Sequence, residues 1–288
     1  VQPQFPQPDS STANSNTANS STANPIVVFD IDGVVRDVGG SYRRALADTV
    51  EQFTQGAYRP AQTDIDTLKA EGIWNNDWEA SREMIYRYFE AQGQERSSLG
   101  LDYEAIVGFF QRQYRGNDPE DPDSWTGYIT QEPLLMQPQY LAELTQSGVH
   151  WGFFSGATRG SATYVLERRL GLESPALVSM EDAPGKPDPT GLIQIVHHLE
   201  QSMSTVSPAP VIYVGDTVAD IQTAEQAKIV EPTRQWFGVG ILPPHTWNSE
   251  EYADTYRQRL MQAGAHLVLK NVNQLCLEII QRLVSNKY

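Results

Sequence analysis

The chain has 288 residues, with 21 Lys and Arg against 36 Asp and Glu, for a formal net charge of −15. That balance lacks the basic footprint that nucleic-acid binding needs. Its single cysteine, Cys276, excludes an intramolecular disulfide. No apolar stretch is long enough to span a bilayer and no basic-then-apolar leader opens the sequence, so a soluble cytoplasmic protein, monomeric or a small homo-oligomer, is expected.

In chain order, residues 1–24 come first, with a repeating Ser-Thr-Ala-Asn pattern (Ser11–Asn14, Ser21–Asn24). The segment is polar and nearly uncharged, cannot bury enough surface to offset ordering, and reads as a disordered tail. An apolar strand follows at Val27-Val28-Phe29, ending in Asp30-Ile31-Asp32-Gly33. Ser41 is placed to cap a helix with Tyr42, Ala45, Leu46, Val50 and Phe53 on one face. Between residues 55 and 128 the strand signal disappears, and helices are expected over 63–70, 77–91 and 102–114. In the middle one Trp78, Ile85, Tyr88 and Phe89 share a face. The proline-broken acidic stretch Asp118–Asp123 suits a return hinge. Strands resume at 151–154, 176–179, 211–214, 236–241 and 266–269, each separated by a helix-compatible segment. Cys276 is expected on the apolar face of the last helix.

Strands alternating with helices give an α/β fold, a doubly wound parallel sheet (a Rossmann-like core) covered on both faces. The core comprises residues 25–54 and 129–288, and the insertion 55–128 forms a helical cap. In such sheets ligands bind outside the carboxyl ends of the strands. Asp30, Ser155 and Asp216 all fall there.

Four short motifs carry chemistry. Asp30 and Asp32 sit at alternate positions where a strand ends, and two carboxylates that close repel unless they share a cation or a proton. Ser155-Gly156 ends the next strand, with a hydroxyl suited to a phosphoryl oxygen. Lys186 is confined between Gly185 and Pro187. Asp216 follows Gly215 at a third strand end, and Asp220 lies where a helix begins. Singly, each has a plain alternative: a surface turn for Asp30 and Asp32, a local cap for Ser155, a solvated charge for Lys186, a helix-dipole partner for Asp220.

Together, in this order, they resemble the haloacid dehalogenase superfamily. The match is to its phosphatase branch with a small helical cap after the first motif, the phosphoglycolate phosphatase and beta-phosphoglucomutase-like subfamily. The resemblance implies that Asp30 is a nucleophile forming an aspartyl-phosphate and that Asp32 is its acid–base partner. It implies Mg²⁺ held by Asp30, Asp216 and the backbone carbonyl of Asp32, with Asp220 as a further ligand or as support. Ser155, Gly156 and Lys186 would bind the phosphoryl group, with backbone N–H groups near Ile31 and Gly156. The corresponding cap loop faces the nucleophile and sets specificity, which directs attention to Asn75, Asn76, Asp77 and Trp78. The structural alternative is that Asp77 or Asn76 caps the helix and Trp78 packs in the core of the cap. Arg43, Arg44 and Arg159 are candidate substrate contacts. His150, His197 and His198 read as structural or surface residues, and Pro243–Trp247 as a surface loop or the rim of the site.

The expected function is a Mg²⁺-dependent phosphatase for a small phosphorylated metabolite. Candidates are phosphoglycolate, a sugar phosphate or an amino-alcohol phosphate such as histidinol phosphate. The alternatives are a phosphomutase using the same intermediate and a non-catalytic phosphate-responsive binding protein.

Overall fold

The computed structural model describes residues 24–203 and 207–285. The predicted tail therefore lies outside the described residues except for Asn24. Six strands form one parallel sheet: β1 (Ile26–Phe29), β2 (His150–Phe154), β3 (Leu177–Val178), β4 (Val211–Gly215), β5 (Trp236–Ile241) and β6 (Leu267–Leu269). Their order is β3-β2-β1-β4-β5-β6. Every pairing is parallel, with Phe29 level with Phe153 on one side and Val214 on the other. The progression of the strands reverses between β1 and β4, and that crevice is where an open parallel sheet offers a ligand site.

β1 is buried on both faces, and its side chains divide by the two-residue period. Val27 and Phe29 join one core with Phe153, Ile212 and Val214, while Ile26 and Val28 join the opposite one with Val211 and Tyr213. Both faces are apolar because both are covered. Helices cover the sheet: α5 (Pro138–Gln146), α6 (Arg159–Thr163), α7 (Thr190–Glu200), α8 (Val218–Val230), α9 (Glu250–Gln262) and α10 (Leu277–Val284).

Between β1 and β2 the chain makes α1 (Tyr42–Phe53), α2 (Gln62–Lys69), α3 (Asp77–Ala91) and α4 (Tyr103–Tyr114). These match the helices expected from periodicity to within a residue at each end. The apolar face of α1 holds Tyr42, Ala45, Leu46 and Val50 as predicted. It packs against Met84, Ile85, Ile106 and Phe110 of α3 and α4. The sequence places α1 with the sheet, but its packing is with the helical unit.

Two local expectations are corrected. Ser41 occupies the N-cap position of α1 without making a cap hydrogen bond; its hydroxyl donates instead to Glu132, at 2.5 Å. Cys276 is exposed and precedes α10 at its N-cap, so it is not on the helix's apolar face.

Candidate active site

β1 carries Asp30 just past its end, where Asp30 N still donates to Val214 O at 2.8 Å. The chain then turns sharply. Val35 N returns to Ile31 O at 2.7 Å, and Gly33 takes φ +75°. A Cβ on Gly33 would lie 2.0 Å from Asp216 Oδ2, so both its backbone conformation and its neighbour require glycine there. The ends of β2 and β4 supply the rest. Ser155 is buried, and its Oγ accepts from Ala157 N at 3.1 Å. Asp30, Asp32, Ser155, Gly156 and Asp216 line one cavity together with Tyr42, Arg43, Lys69, Asn75, Asn76, Asp77, Trp78, Thr158 and Thr217.

Lys186 is buried and joins the motifs. Its Nζ lies 2.7 Å from Asp30 Oδ1 and 2.6 Å from Asp220 Oδ1, with the rings of Phe154 and Tyr213 beside it. Burial acts to lower its pKa, but Asp220 and Asp30 outweigh it and push the pKa above the ordinary lysine range. Asp220 is satisfied on both oxygens. Oδ1 receives Lys186 and lies 3.0 Å from Tyr213 Oη, while Oδ2 accepts from Thr217 N and Oγ1. Burial works to raise the Asp220 pKa, yet Lys186 and Thr217 hold it below the carboxylate range.

Asp30 and Asp216 are in the opposite state. Burial pushes Asp30 up to about 7, with Asp220 and Asp32 adding repulsion and Lys186 opposing. Burial, then Asp220 and Asp30, raises Asp216 well above the usual range. Asp30 Oδ1 is buried without an aligned hydrogen bond, its contact with Lys186 being an ion pair. One carboxylate oxygen each from Asp30, Asp216 and Asp220 falls within a 4.8 Å cluster. Three buried carboxylates brought this close, two of them pushed toward protonation, fit a hard divalent cation.

The specificity candidates separate. Asn75 faces the cradle, because its Nδ2 would lie 2.6 Å from a Cβ on Gly156. Asn76 caps α3, its Oδ1 accepting from Trp78 N at 2.9 Å and Glu79 N at 3.3 Å. Asp77 pairs with Lys69 at 2.8 Å, and Trp78 packs partly buried against the helical core. Arg43 lines the cavity but gives its guanidinium to Asp66 and Gln62. Arg44 is 54% exposed and lies over Tyr128, so it is turned away from the site. Arg159 is half exposed, paired with Asp182, and does not line the cavity. His197 and His198 border a separate groove at the β3 edge.

Sequence reasoning missed several supports. Thr217 and Asp220 form a capping box, which was legible as Thr-x-x-Asp before a helix. Tyr256 Oη donates to Asp216 O at 2.9 Å from distant α9, and no local signal marks it. Arg36 and Lys69 carry no motif at all.

Residues 25–228 match the haloacid dehalogenase-like hydrolase family. Among solved structures, a phosphonoacetaldehyde hydrolase-like protein from Oleispira antarctica is 20% identical. It covers 92% of this chain and 94% of its own, with TM-score 0.63. A putative beta-phosphoglucomutase from Thermotoga maritima is 16% identical, covers 90% and 99%, and has TM-score 0.53. These likenesses are of fold. A curated relative from Phytophthora nicotianae, named imidazoleglycerol-phosphate dehydratase, is 28% identical over 249 residues. The match takes in 84% of this chain and 49% of that protein, so the chain spans about half the length of its relative.

Proposed function

The chain belongs to the haloacid dehalogenase-like hydrolases, and within that family we propose that it hydrolyses a small phosphomonoester through an aspartyl-phosphate on Asp30. The observation that carries this reading is the buried contact of Asp30 with Lys186 inside the ring that includes Asp216 and Asp220, on a cavity shared with Asp32. Asp30, Asp216 and the backbone carbonyl of Asp32 would hold Mg²⁺, with Asp220 acting as support because its oxygens are already engaged. Bound there, the cation would lower the repulsion among the carboxylates and offset charge on the phosphoryl oxygens.

The steps follow from the side chains. The Asp30 carboxylate attacks phosphorus as the bond to the leaving oxygen breaks. Asp32 passes its proton to that oxygen. A water then attacks the phosphoryl group, Asp32 takes the water's proton, and the bond to Asp30 breaks. Lys186 opposes the upward shift of Asp30 and so favours its attacking carboxylate form, and Lys186 with Ser155 would offset charge on the phosphoryl oxygens. Acid–base help of this kind is worth roughly 10²–10⁴ in rate.

Asn75, Asp77 and Lys69 line the same cavity and would contact a polar leaving group. The test is phosphate release from a panel, with Mg²⁺ and with chelator. The panel includes phosphoglycolate, sugar phosphates and histidinol phosphate. Imidazoleglycerol phosphate joins it because the curated relative is named for that compound. Release that depends on the cation and is lost in Asp30→Asn is expected. Full turnover in excess chelator would overturn the proposal, and an isomerised ester without free phosphate would mark a mutase.

A further inference from the structure

Arg36 is fully buried, lies three residues after Gly33, and belongs to none of the four motifs. A guanidinium out of water is costly unless its fork is met by anions. Here both edges are used. Nε and Nη2 each lie 2.6 Å from Asp32 Oδ1, and Nη1 donates to Glu132 Oε2 at 2.9 Å. The rings of Tyr42 and Tyr114 flank the group at 5.3 and 5.9 Å. Glu132 is itself buried, and its other oxygen accepts from Ser41.

This arrangement decides where the Asp32 carboxylate points. Asp32 lies beyond the end of β1, in a turn, where no ladder of neighbouring strands fixes it. Its Oδ1 is held by Arg36, and its Oδ2 makes no hydrogen bond among the described residues. Asp32 nevertheless lines the cavity beside Asp30. The same spot is where the chain crosses between the sheet and the helical unit. Arg36 bridges antiparallel to Leu134, Asp37 N donates to Pro133 O at 2.9 Å, and Leu135 N donates to Val35 O at 2.8 Å. Ser41 precedes α1 and Glu132 follows the last turn of the helical unit, so both crossings converge on one guanidinium.

We infer that Arg36, held by Glu132, is a positioning residue for the proton-carrying step: it anchors Oδ1 of Asp32 and leaves Oδ2 to face the substrate. The inference rests on Asp32 being the proton carrier. A carrier displaced by an ångström loses about 10²-fold in rate, whereas ground-state binding by Ser155 and Lys186 is untouched.

The experiment is a double-mutant comparison. Arg36→Met with Glu132→Gln removes both buried charges together, so neither is left unpaired. Arg36→Lys keeps the charge but not the fork, and it serves alone if the double variant gives no cooperative melt. Each is assayed on an alkyl phosphate and on p-nitrophenyl phosphate, whose leaving group needs no proton, both in the wild-type chain and in Asp32→Asn. The expected result on the alkyl ester is a fall in kcat of roughly 10²-fold with KM changed less than about threefold. In the Asp32→Asn background the further loss should be under about twofold, because the group being positioned is gone. Wild-type kcat in these variants, or a loss of equal size in the Asp32→Asn background, would overturn the inference while leaving the hydrolase reading intact. If Asp32→Asn itself turned over the alkyl ester at the wild-type rate, the acid–base assignment would fail, and this inference with it.

Discussion

Burial sets the titration of Asp30 and gives it a sign that can be measured. Its pKa is about 7 in the folded chain against 3.8 as a free side chain, so between these values the folded state holds a proton that the unfolded state has released. Stability therefore falls as pH rises from about 4 to 7, and Asp216, shifted the same way, adds to the fall. In chelator the melting temperature should drop between pH 5 and 7.5. Adding Mg²⁺ should restore more at pH 7.5 than at pH 5. A cation response that is the same at both values would sever the link between the carboxylate ring and the metal. Asp30→Asn carries a paired expectation. Turnover should vanish, since the amide is a poor nucleophile, yet the chelated variant should melt no lower than wild type at pH 7.5. The substitution removes one repelling carboxylate, and Lys186 keeps Asp220. Residual turnover above a trace would place the nucleophile elsewhere.

At the scale of elements, the loop before α3 joins recognition and folding in adjacent residues. Asn76 satisfies the first N–H groups of α3, so Asn76→Ala should cost about 1 kcal/mol of stability and affect all esters alike. Asn75 makes no such cap and reaches toward Gly156. Asn75→Ala should stay within about 0.5 kcal/mol in stability. It should cut kcat/KM for the true substrate by about tenfold while sparing p-nitrophenyl phosphate. Thermal melts and the two-substrate comparison separate these outcomes, and equal activity losses in both variants would return the whole loop to structure. The first and fourth motifs were legible because a buried strand that runs straight into Asp leaves a local mark, whereas Ser155 and Lys186 carry no such mark alone and stood out only by their order with the other two. The division between Asn75 and Asn76 was not legible, since either amide can cap a helix and only the φ/ψ of the turn decides. Arg159 misled for a related reason: proximity to Ser155 in sequence says nothing of Asp182, which captures its guanidinium.

At the scale of the molecule, the helical unit is tied to the sheet by contacts that no local pattern reveals. The apolar face of α1 told that it is buried but not against what, and Glu132 meets Arg36 from 96 positions away. The same holds for Asp66 of α2. It is buried and receives Arg43 from α1, His245 from the loop after β5, and Tyr252 from α9. The sequence suggests a surface loop or a rim for Pro243–Trp247; in the structure His245 from it reaches Asp66 of α2 and ties the helical unit to the core.

That junction has an acid dependence of its own. Burial works against the Asp66 charge, but Arg43, His245 and Tyr252 hold its pKa at about 2, below the free value of 3.8. A depressed carboxylate contributes stability that is present above the unfolded pKa and is lost as pH falls toward the folded one. Here the shift corresponds to about 2 kcal/mol. His245 is lowered by burial, so it too disfavours the folded state as pH falls below about 6.5. With Mg²⁺ saturating at neutral pH, Asp66→Asn should lower the melting temperature, because Arg43 loses its buried counter-charge. In acid the difference should shrink. Wild type should lose stability steeply between pH 4 and 2, whereas the variant, with nothing left to protonate at position 66, should decline more gently, and the two curves should converge. Calorimetry across that range provides the check. Parallel curves would mean that the junction around Asp66 does not titrate with folding and that other carboxylates govern acid unfolding.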